Sequence, residues 1–371
     1  MKFCIVLSTR PEIIKLSPFI ESLRKNKDHF YLINTHQHSL KKMSKVFFDF
    51  FNIKEKIYNL KPSKKSQYVF LAESINMISK ILKSNKPDYL IVQGDTNTSL
   101  AGCLAASFLN RGLTKKNKIK IVHIESGLRS FDDTMPEEIN RKIIDKISNI
   151  LFVPTKFDYR NLKRENCLKA KQVYIVGNTI SDVLKKYLPL TSKSKILNKL
   201  KIKKKNFFLV TVHRPESVDN VINLIRLKKI FDSIIKKYDY SIIFPIHPRT
   251  KDMLSKYKIK FNKKIIITEP LEYLDFLKLI KDTKLLLTDS GGLQEEASIV
   301  GTPCITLRTT TERQITLIRK VNFLGGYDKL KVMKAINQFL NKKIKKLKDF
   351  GDGKVTNKIY KILKFNSKLS I

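Results

Sequence analysis

The sequence predicts an α/β protein of two domains, each a parallel β-sheet covered by helices. Three observations carry this. Short runs rich in β-branched and aromatic residues alternate with longer segments of helical period along the whole chain. The short runs are apolar throughout rather than at every second residue, as strands buried on both faces require. The alternation breaks at a lysine-rich stretch and then restarts, and 371 residues suit two domains at about 100–200 residues each.

Taken in order, Phe3–Leu7, Tyr31–Asn34, Tyr89–Val92, Ile121–Ile124, Leu151–Val153 and Val173–Val176 read as buried strands. Helical patterns lie between them at Ile13–Lys25, Leu40–Phe51, Val69–Lys83, Thr98–Asn110, Pro136–Asn149 and Lys156–Glu165. Residues 191–205 hold seven lysines and no acid, and read as a solvated segment between domains. Strands resume at Phe207–Val212, Ser241–Pro245, Ile265–Thr268, Leu285–Leu287 and Cys304–Leu307, with helices beginning near Val218, Thr250, Tyr273 and Leu293. The expected partition is an N-terminal domain over 1–190, the lysine-rich linker over 191–205 and a C-terminal domain over 206–345. A C-terminal helix over 346–371, placed to pack back on the N-terminal domain, completes it.

Composition narrows the function. Cys4, Cys103, Cys167 and Cys304 are far apart, with no CxxC and no Cys/His cluster, which argues against disulfides, structural zinc and a redox pair. No apolar run approaches the ~18 residues of a membrane span, and Phe3–Leu7 is too short for a signal-peptide core. A soluble protein of a reducing compartment is expected. The net charge of +41 raises the possibility of nucleic acid or an anionic membrane as partner. Yet 61 lysines are spread over the whole chain, as an A/T-rich coding bias would spread them, so neither partner is expected. The 13 arginines say more, because the guanidinium fork recognises anions and several sit in Pro/Gly-punctuated motifs.

Those motifs fall at strand ends, where open α/β sheets bind ligands. Ser8–Lys15 follows the first strand, with Pro11 suited to a first helical turn and Arg10 and Lys15 at an anion-favouring helix start. There is neither GxGxxG nor GxxxxGK[ST], so no dinucleotide fingerprint and no P-loop. Asp95, in Gln93-Gly94-Asp95-Thr96-Asn97, reads equally as a helix cap or as an acid/base group. Strand alternation would put His123 and Glu125 on one face, with Gly127 turning the chain. Glu137, Glu138 and Arg141 open the next helix, and the last two are spaced to pair. Asp95, Glu125 and Glu137 thus look like converging acid/base groups. His213 ends the first strand of the second domain and is the best placed of the six histidines for catalysis. Ser290-Gly291-Gly292 leads a strand into a helix, a diphosphate cradle without a P-loop lysine, with Glu296 in reach of ribose hydroxyls. Arg308 and Arg313 suit phosphate recognition.

In order and over nearly the whole chain, these motifs resemble the non-hydrolysing UDP-N-acetylglucosamine 2-epimerase family. The carrying segments are TRPEIIKLSP (9–18), QGDTNTSLAG (93–102), HIESGLRSFD (123–132), MPEEINR (135–141), GNTISD (177–182), HRPESVDN (213–220), FPIHPRT (244–250), EPLEYLDF (269–276), TDSGGLQEEA (288–297) and LRTTTER (307–313). The resemblance implies two Rossmann-like domains of the GT-B type with a UDP-sugar between them. It also implies a cytoplasmic homodimer and neither metal nor nicotinamide cofactor. It assigns catalysis to Asp95, Glu125, Glu137 and His213. It assigns substrate binding to Arg10, Lys15, Arg141, His247, Ser290, Gly291, Gly292, Glu296 and Arg313, with Tyr273 and Phe276 in the segment that holds uracil. Three departures stand out: His36 for the usual Gly or Ala in a TGQH-like segment over Thr35–His38, Ser8 for Gly, and Gln314 where Pro is usual. The first puts in doubt the activation by a second UDP-GlcNAc seen in many bacterial members. The implied reaction inverts C2 of UDP-GlcNAc by eliminating and re-adding UDP. The neighbouring possibilities are a 2-epimerase of UDP-2,3-diacetamido-2,3-dideoxy-glucuronic acid and a hydrolysing epimerase that releases ManNAc.

Overall fold

The computed structural model describes residues 1–37, 41–114, 117–169, 171–342 and 344–368. The chain forms two compact units, Met1–Val183 with the stretch from Asp349 onward, and Leu184–Lys348. The first holds strands β1 (Lys2–Leu7), β2 (His29–Asn34), β3 (Ile57–Asn59), β4 (Tyr89–Gln93), β5 (Lys120–Ile124), β6 (Ile150–Val153) and β7 (Gln172–Ile175). Helices α1 (Arg10–Lys25), α2 (Lys41–Phe50), α3 (Gln67–Asn85), α4 (Asn97–Leu109), α5 (Pro136–Ile147), α6 (Lys156–Arg164) and α7 (Ile180–Tyr187) run between and after them. All pairings are parallel, in the order β3-β2-β1-β4-β5-β6-β7.

Each strand forms where the residues can be buried on both faces: Phe3 to Leu7 of β1 and Leu90 to Val92 of β4 are fully buried. Helix starts are chemically marked. Thr9 and Glu12 make a reciprocal capping box at α1, and Ser66 and Thr96 accept from Val69 and Ser99 backbone N–H groups at α3 and α4. The strand order reverses between β1 and β4, and that switch point is where ligand sites of such sheets lie.

The second unit repeats the plan. Helices are α8 (Ile196–Lys199), α9 (Pro215–Val218), α10 (Val221–Lys237), α11 (Pro248–Lys256), α12 (Tyr273–Asp282), α13 (Gly291–Val300), α14 (Gln314–Ile318) and α15 (Lys329–Leu340). Strands are β8 (Phe207–Thr211), β9 (Ser241–Pro245), β10 (Ile265–Thr268), β11 (Leu285–Thr288), β12 (Cys304–Thr306) and β13 (Asn322–Leu324). They pair in parallel as β10-β9-β8-β11-β12-β13, so the switch point here lies between β8 and β11. The last helix, α16 (Val355–Lys368), belongs to the first unit. Asp182 caps its start by accepting the Val355 and Thr356 N–H groups at 2.9 and 2.7 Å, and Tyr360 donates to Asp28 at 2.7 Å.

Two expectations need amendment. The lysine-rich stretch is not a solvated linker. All seven of its lysines are exposed, but Ile196 is buried among Phe207, Phe276 and Ile280, and Leu197, Leu200 and Ile202 pack against the same cluster. Two short strands, β3 and β13, are additions at opposite sheet edges. The helical pattern read from Leu40 is seen from Lys41, Leu40 itself lying outside the described residues, as does His38.

Candidate active site

The first unit places its chemistry at the C-terminal ends of β1, β4 and β5. Glu125 follows β5 with φ +76°, a left-handed conformation costing a non-glycine residue about 1–3 kcal/mol. It is held there by backbone N–H bonds from Glu125 and Ser126 to the Phe152 carbonyl, at 3.0 and 3.1 Å. Its Oε2 receives Lys15 Nζ and Gln93 Nε2, both at 2.6 Å, and Asn178 Nδ2 at 3.4 Å. Asp95 lies in the turn after β4, its side chain 26% exposed. Arg141 Nε donates to Asp95 Oδ2 at 3.0 Å and Arg141 Nη2 also binds that oxygen, while Nη1 donates to Glu138 at 2.6 Å. Asn140 donates to the Asp95 carbonyl at 2.9 Å. Glu137 is half-buried in the first turn of α5. Arg10 begins α1, its guanidinium 4.8 Å from the Phe47 ring centre.

Glu12 ties two of these turns together. It accepts from Thr9 N–H at 2.7 Å, Ser8 N–H at 3.0 Å, Thr96 Oγ1 at 2.7 Å and Ser99 Oγ at 3.1 Å. Burial pushes its carboxyl above the ordinary range, and the bonds from Thr9, Thr96 and Ser8 oppose that rise.

The second unit gathers its groups after β8, β9, β11 and β12. His213 Nδ1 is 3.2 Å from Asp289 Oδ1, and Asp289 Oδ2 accepts the His213 and Arg214 N–H groups, both at 2.8 Å. Asp289 is fully buried, which alone would raise its carboxyl. The His213 charge and these bonds outweigh burial and hold it at about 2. The His247 ring lies 5.3 Å from that of His213, and its Nδ1 accepts the Arg249 N–H at the start of α11. Ser290 precedes α13 without a side-chain capping bond, and the first turn of the helix carries Gly291 and Gly292. The two glycines differ: a Cβ on Gly291 would meet Glu312 Oε1 at 2.1 Å, whereas one on Gly292 meets nothing within 4 Å. Only Gly292 therefore faces open space. Arg313 Nε is 2.6 Å from Glu295, and Glu312 gathers Arg308, Arg313 and Arg214 at 3.0, 3.5 and 3.8 Å. Glu296 is buried in α13.

The family model for UDP-N-acetylglucosamine 2-epimerase matches residues 21–364. The chain belongs to the UDP-N-acetylglucosamine 2-epimerase family. The UDP-N-acetylglucosamine 2-epimerase of Methanocaldococcus jannaschii is 44% identical over 373 residues, covering 98% of this chain and 99% of its own. A crystal structure of the M. jannaschii UDP-GlcNAc 2-epimerase in complex with UDP-GlcNAc and UDP matches at a TM-score of 0.91, with 44% identity over 98% of this chain and 100% of that one. The UDP-2,3-diacetamido-2,3-dideoxy-D-glucuronate 2-epimerase of Pseudomonas aeruginosa is 31% identical over 366 residues, 98% of this chain and 99% of its own.

Within this 2-epimerase fold of the GT-B type, the departures from the family motifs have physical accounts. His36 takes φ +50°, a conformation glycine adopts freely, and secures it with bonds from its N–H to Asn34 Oδ1 and from Nε2 to Asn59 Oδ1, at 3.0 and 2.9 Å. Ser8 Oγ accepts the Gln37 N–H at 2.6 Å, a bond glycine could not make. Gln314 is the first residue of α14, where proline is tolerated but not needed, and its Nε2 donates to the Thr311 carbonyl at 2.7 Å.

Other expectations change. Asp95 is not a cap, since Thr96 caps α4. Strand alternation does not reach Glu125, because β5 ends at Ile124 and the positive φ takes the chain out of the sheet. His123 points instead to Asp145 and the Gly94 carbonyl. The rings of Tyr273 and Phe276 are buried in the second unit, Tyr273 edge-on to Tyr187 and Phe276 inside a hydrophobic cluster. Among the described residues, no group of three His, Cys, Asp or Glu side chains could hold a metal ion.

Proposed function

We propose that the enzyme interconverts UDP-N-acetylglucosamine and UDP-N-acetylmannosamine by elimination and re-addition of UDP. The observation that carries this is full-length 44% identity to the M. jannaschii enzyme solved with UDP-GlcNAc and UDP. The C2–H bond has no adjacent carbonyl, so direct deprotonation is costly. The C1–O bond breaks instead, its electron pair leaving with UDP, and the C2 proton passes to a carboxylate. The product, 2-acetamidoglucal, is reprotonated at C2 from the other face, and UDP adds back at C1.

Two acid/base groups are needed, each contributing ~10²–10⁴-fold. We assign these roles to Asp95 and Glu137, which are partly exposed. Glu125 is a support, since its side chain is only 4% exposed and its Oε2 already takes three donors. We assign stabilisation of the departing diphosphate to the start of α13, Arg313 and the His213–Asp289 pair. The same reading takes the enzyme as a cytoplasmic homodimer without metal or nicotinamide, supplying a sugar donor for polysaccharide synthesis.

A second reading, epimerisation of UDP-2,3-diacetamido-2,3-dideoxy-glucuronic acid, is favoured by the 31% identity to the P. aeruginosa enzyme. Incubation with each sugar nucleotide separately, with NMR of the products, decides. UDP-ManNAc without free ManNAc supports the proposal. Free ManNAc with UDP makes the enzyme hydrolysing, and turnover of the uronate alone transfers it to the second reading.

A further inference from the structure

We infer that His123 and Asp145 are positioning residues, a buried pair that holds the turns carrying Asp95 and Glu125 in fixed relation. The inference rests on the proposed epimerisation, in which both turns serve one reaction.

His123 lies on β5 and is completely buried, as is Asp145 on α5. The His123 Nδ1 is 2.8 Å from Asp145 Oδ1, and its Nε2 is 2.9 Å from the Gly94 carbonyl oxygen. Gly94 immediately precedes Asp95 and sits at φ +71°. The other Asp145 oxygen accepts the Gly127 N–H at 3.1 Å and Arg129 Nη1 at 2.8 Å. Gly127 lies two residues past Glu125, at φ +83°, and Asn161 Nδ2 donates to its carbonyl at 2.9 Å. One imidazole–carboxylate pair therefore bonds to the backbone of both turns. A third bond, Gly94 N–H to the Ile124 carbonyl at 3.0 Å, closes the ring of contacts.

Both partners of the imidazole are acceptors. A ring with one N–H satisfies only one of them, so the bridge needs both nitrogens protonated. Asp145 balances that charge. Burial pushes its carboxyl up, but the bond and charge from His123, with Arg129, hold it below the usual range. Arg129 is neutralised in turn by Glu165, 2.7 Å from its Nε. Apolar residues would fill this volume at less desolvation cost. What the ion pair adds is direction, since it fixes two backbone groups that carry side chains of the reaction. Neither His123 nor Asp145 is exposed, so neither touches substrate.

His123→Asn places an amide nitrogen near the Nδ1 position, keeping the Asp145 contact and dropping the Gly94 one. Asp145→Asn removes the charge that balances the ring. The proposal expects kcat to fall about 10²-fold in each, as ångström-scale misplacement of a reacting group does. The UDP dissociation constant, measured calorimetrically on the same samples, should stay within about threefold, because uniform binding is untouched. A merely structural role lowers the amount of folded protein but leaves kcat per UDP-binding site unchanged, and that result overturns the inference. Wild-type enzyme gives a reading that needs no variant. With ¹⁵N-histidine labelling, His123 should show two protonated ring nitrogens, and a single N–H would refute the bridge. Wild-type enzyme inert on UDP-GlcNAc would be the separate failure of the epimerase reading.

Discussion

Asp289→Asn tests the second unit's central contact with the smallest change of shape. Asp289 is fully buried, accepts two backbone N–H groups at 2.8 Å and faces His213 Nδ1 at 3.2 Å. Its carboxyl is held at about 2 instead of the ordinary 3.8. A carboxyl lowered by folding stabilises the fold above its unfolded value, and that stability is lost as pH falls through the folded one. A shift of nearly two units corresponds to about 2 kcal/mol at 1.36 kcal/mol per unit. The His213 side chain is 38% exposed, so solvent screens its share, and about 2 kcal/mol is an upper value for the charge. Asparagine can still accept both backbone N–H groups, because a single oxygen holds them both, so the main loss is the charge facing His213. The variant should therefore unfold up to about 2 kcal/mol more easily in urea at pH 7. At pH 3, partway down the window from 3.8 to about 2, the gap between wild type and variant should narrow by about 1 kcal/mol. A gap that does not change with pH, or a variant as stable as wild type at pH 7, would refute the reasoning. The turnover of the folded variant should also fall, because His213 loses the carboxylate that orients it.

Gly291→Ala should lower thermal stability by the equivalent of about 1–3 kcal/mol, since its Cβ would meet Glu312 Oε1 at 2.1 Å, and calorimetric melting checks this. Gly292→Ala has room for its methyl and should melt like wild type, but it should raise KM for UDP-GlcNAc by crowding the open side of the α13 start. Asp95→Asn keeps the Thr96 cap intact and should leave UDP affinity near normal while kcat drops below a tenth, a loss of more than ~1.4 kcal/mol. A variant retaining more than that would remove Asp95 from the acid/base pair. Binding to random duplex DNA should be weak and vanish near ~0.2 M salt, because contacts to phosphates alone lose ~10³–10⁵-fold in affinity there. Persistent binding that competes with the UDP-sugar would make the +41 charge functional.

Strands with continuous apolar runs, such as β1, β4, β8 and β11, are legible in the sequence because burial on both faces leaves no other composition. The three-residue strands β3 and β13 are not, since so few residues show no period and their pairing depends on the edge strand already in place. The stretch 191–205 misleads because its lysines mask Ile196, Leu197, Leu200 and Ile202, which only the folded second unit shows to be inward. At the site, strand ends and motif order point to Asp95, Glu125, Glu137 and His213. The partners Asp145 and Asp289 escape sequence reasoning because each is distant in sequence from the histidine it holds, 22 and 76 positions away. Asp289 carried a signal, an acid closing a buried strand directly before Ser-Gly-Gly. Asp145 carried none, being one of three buried charged residues on α5 with Glu138 and Arg141.

The central claim is that C2 loses and regains a proton between two carboxylates. Incubation with UDP-GlcNAc in D₂O, followed by NMR at C2, tests it most directly. Deuterium should enter C2 of UDP-ManNAc with each conversion, and C2 of recovered UDP-GlcNAc as the reaction reverses. UDP-ManNAc that forms with its C2 hydrogen fully retained would contradict the claim.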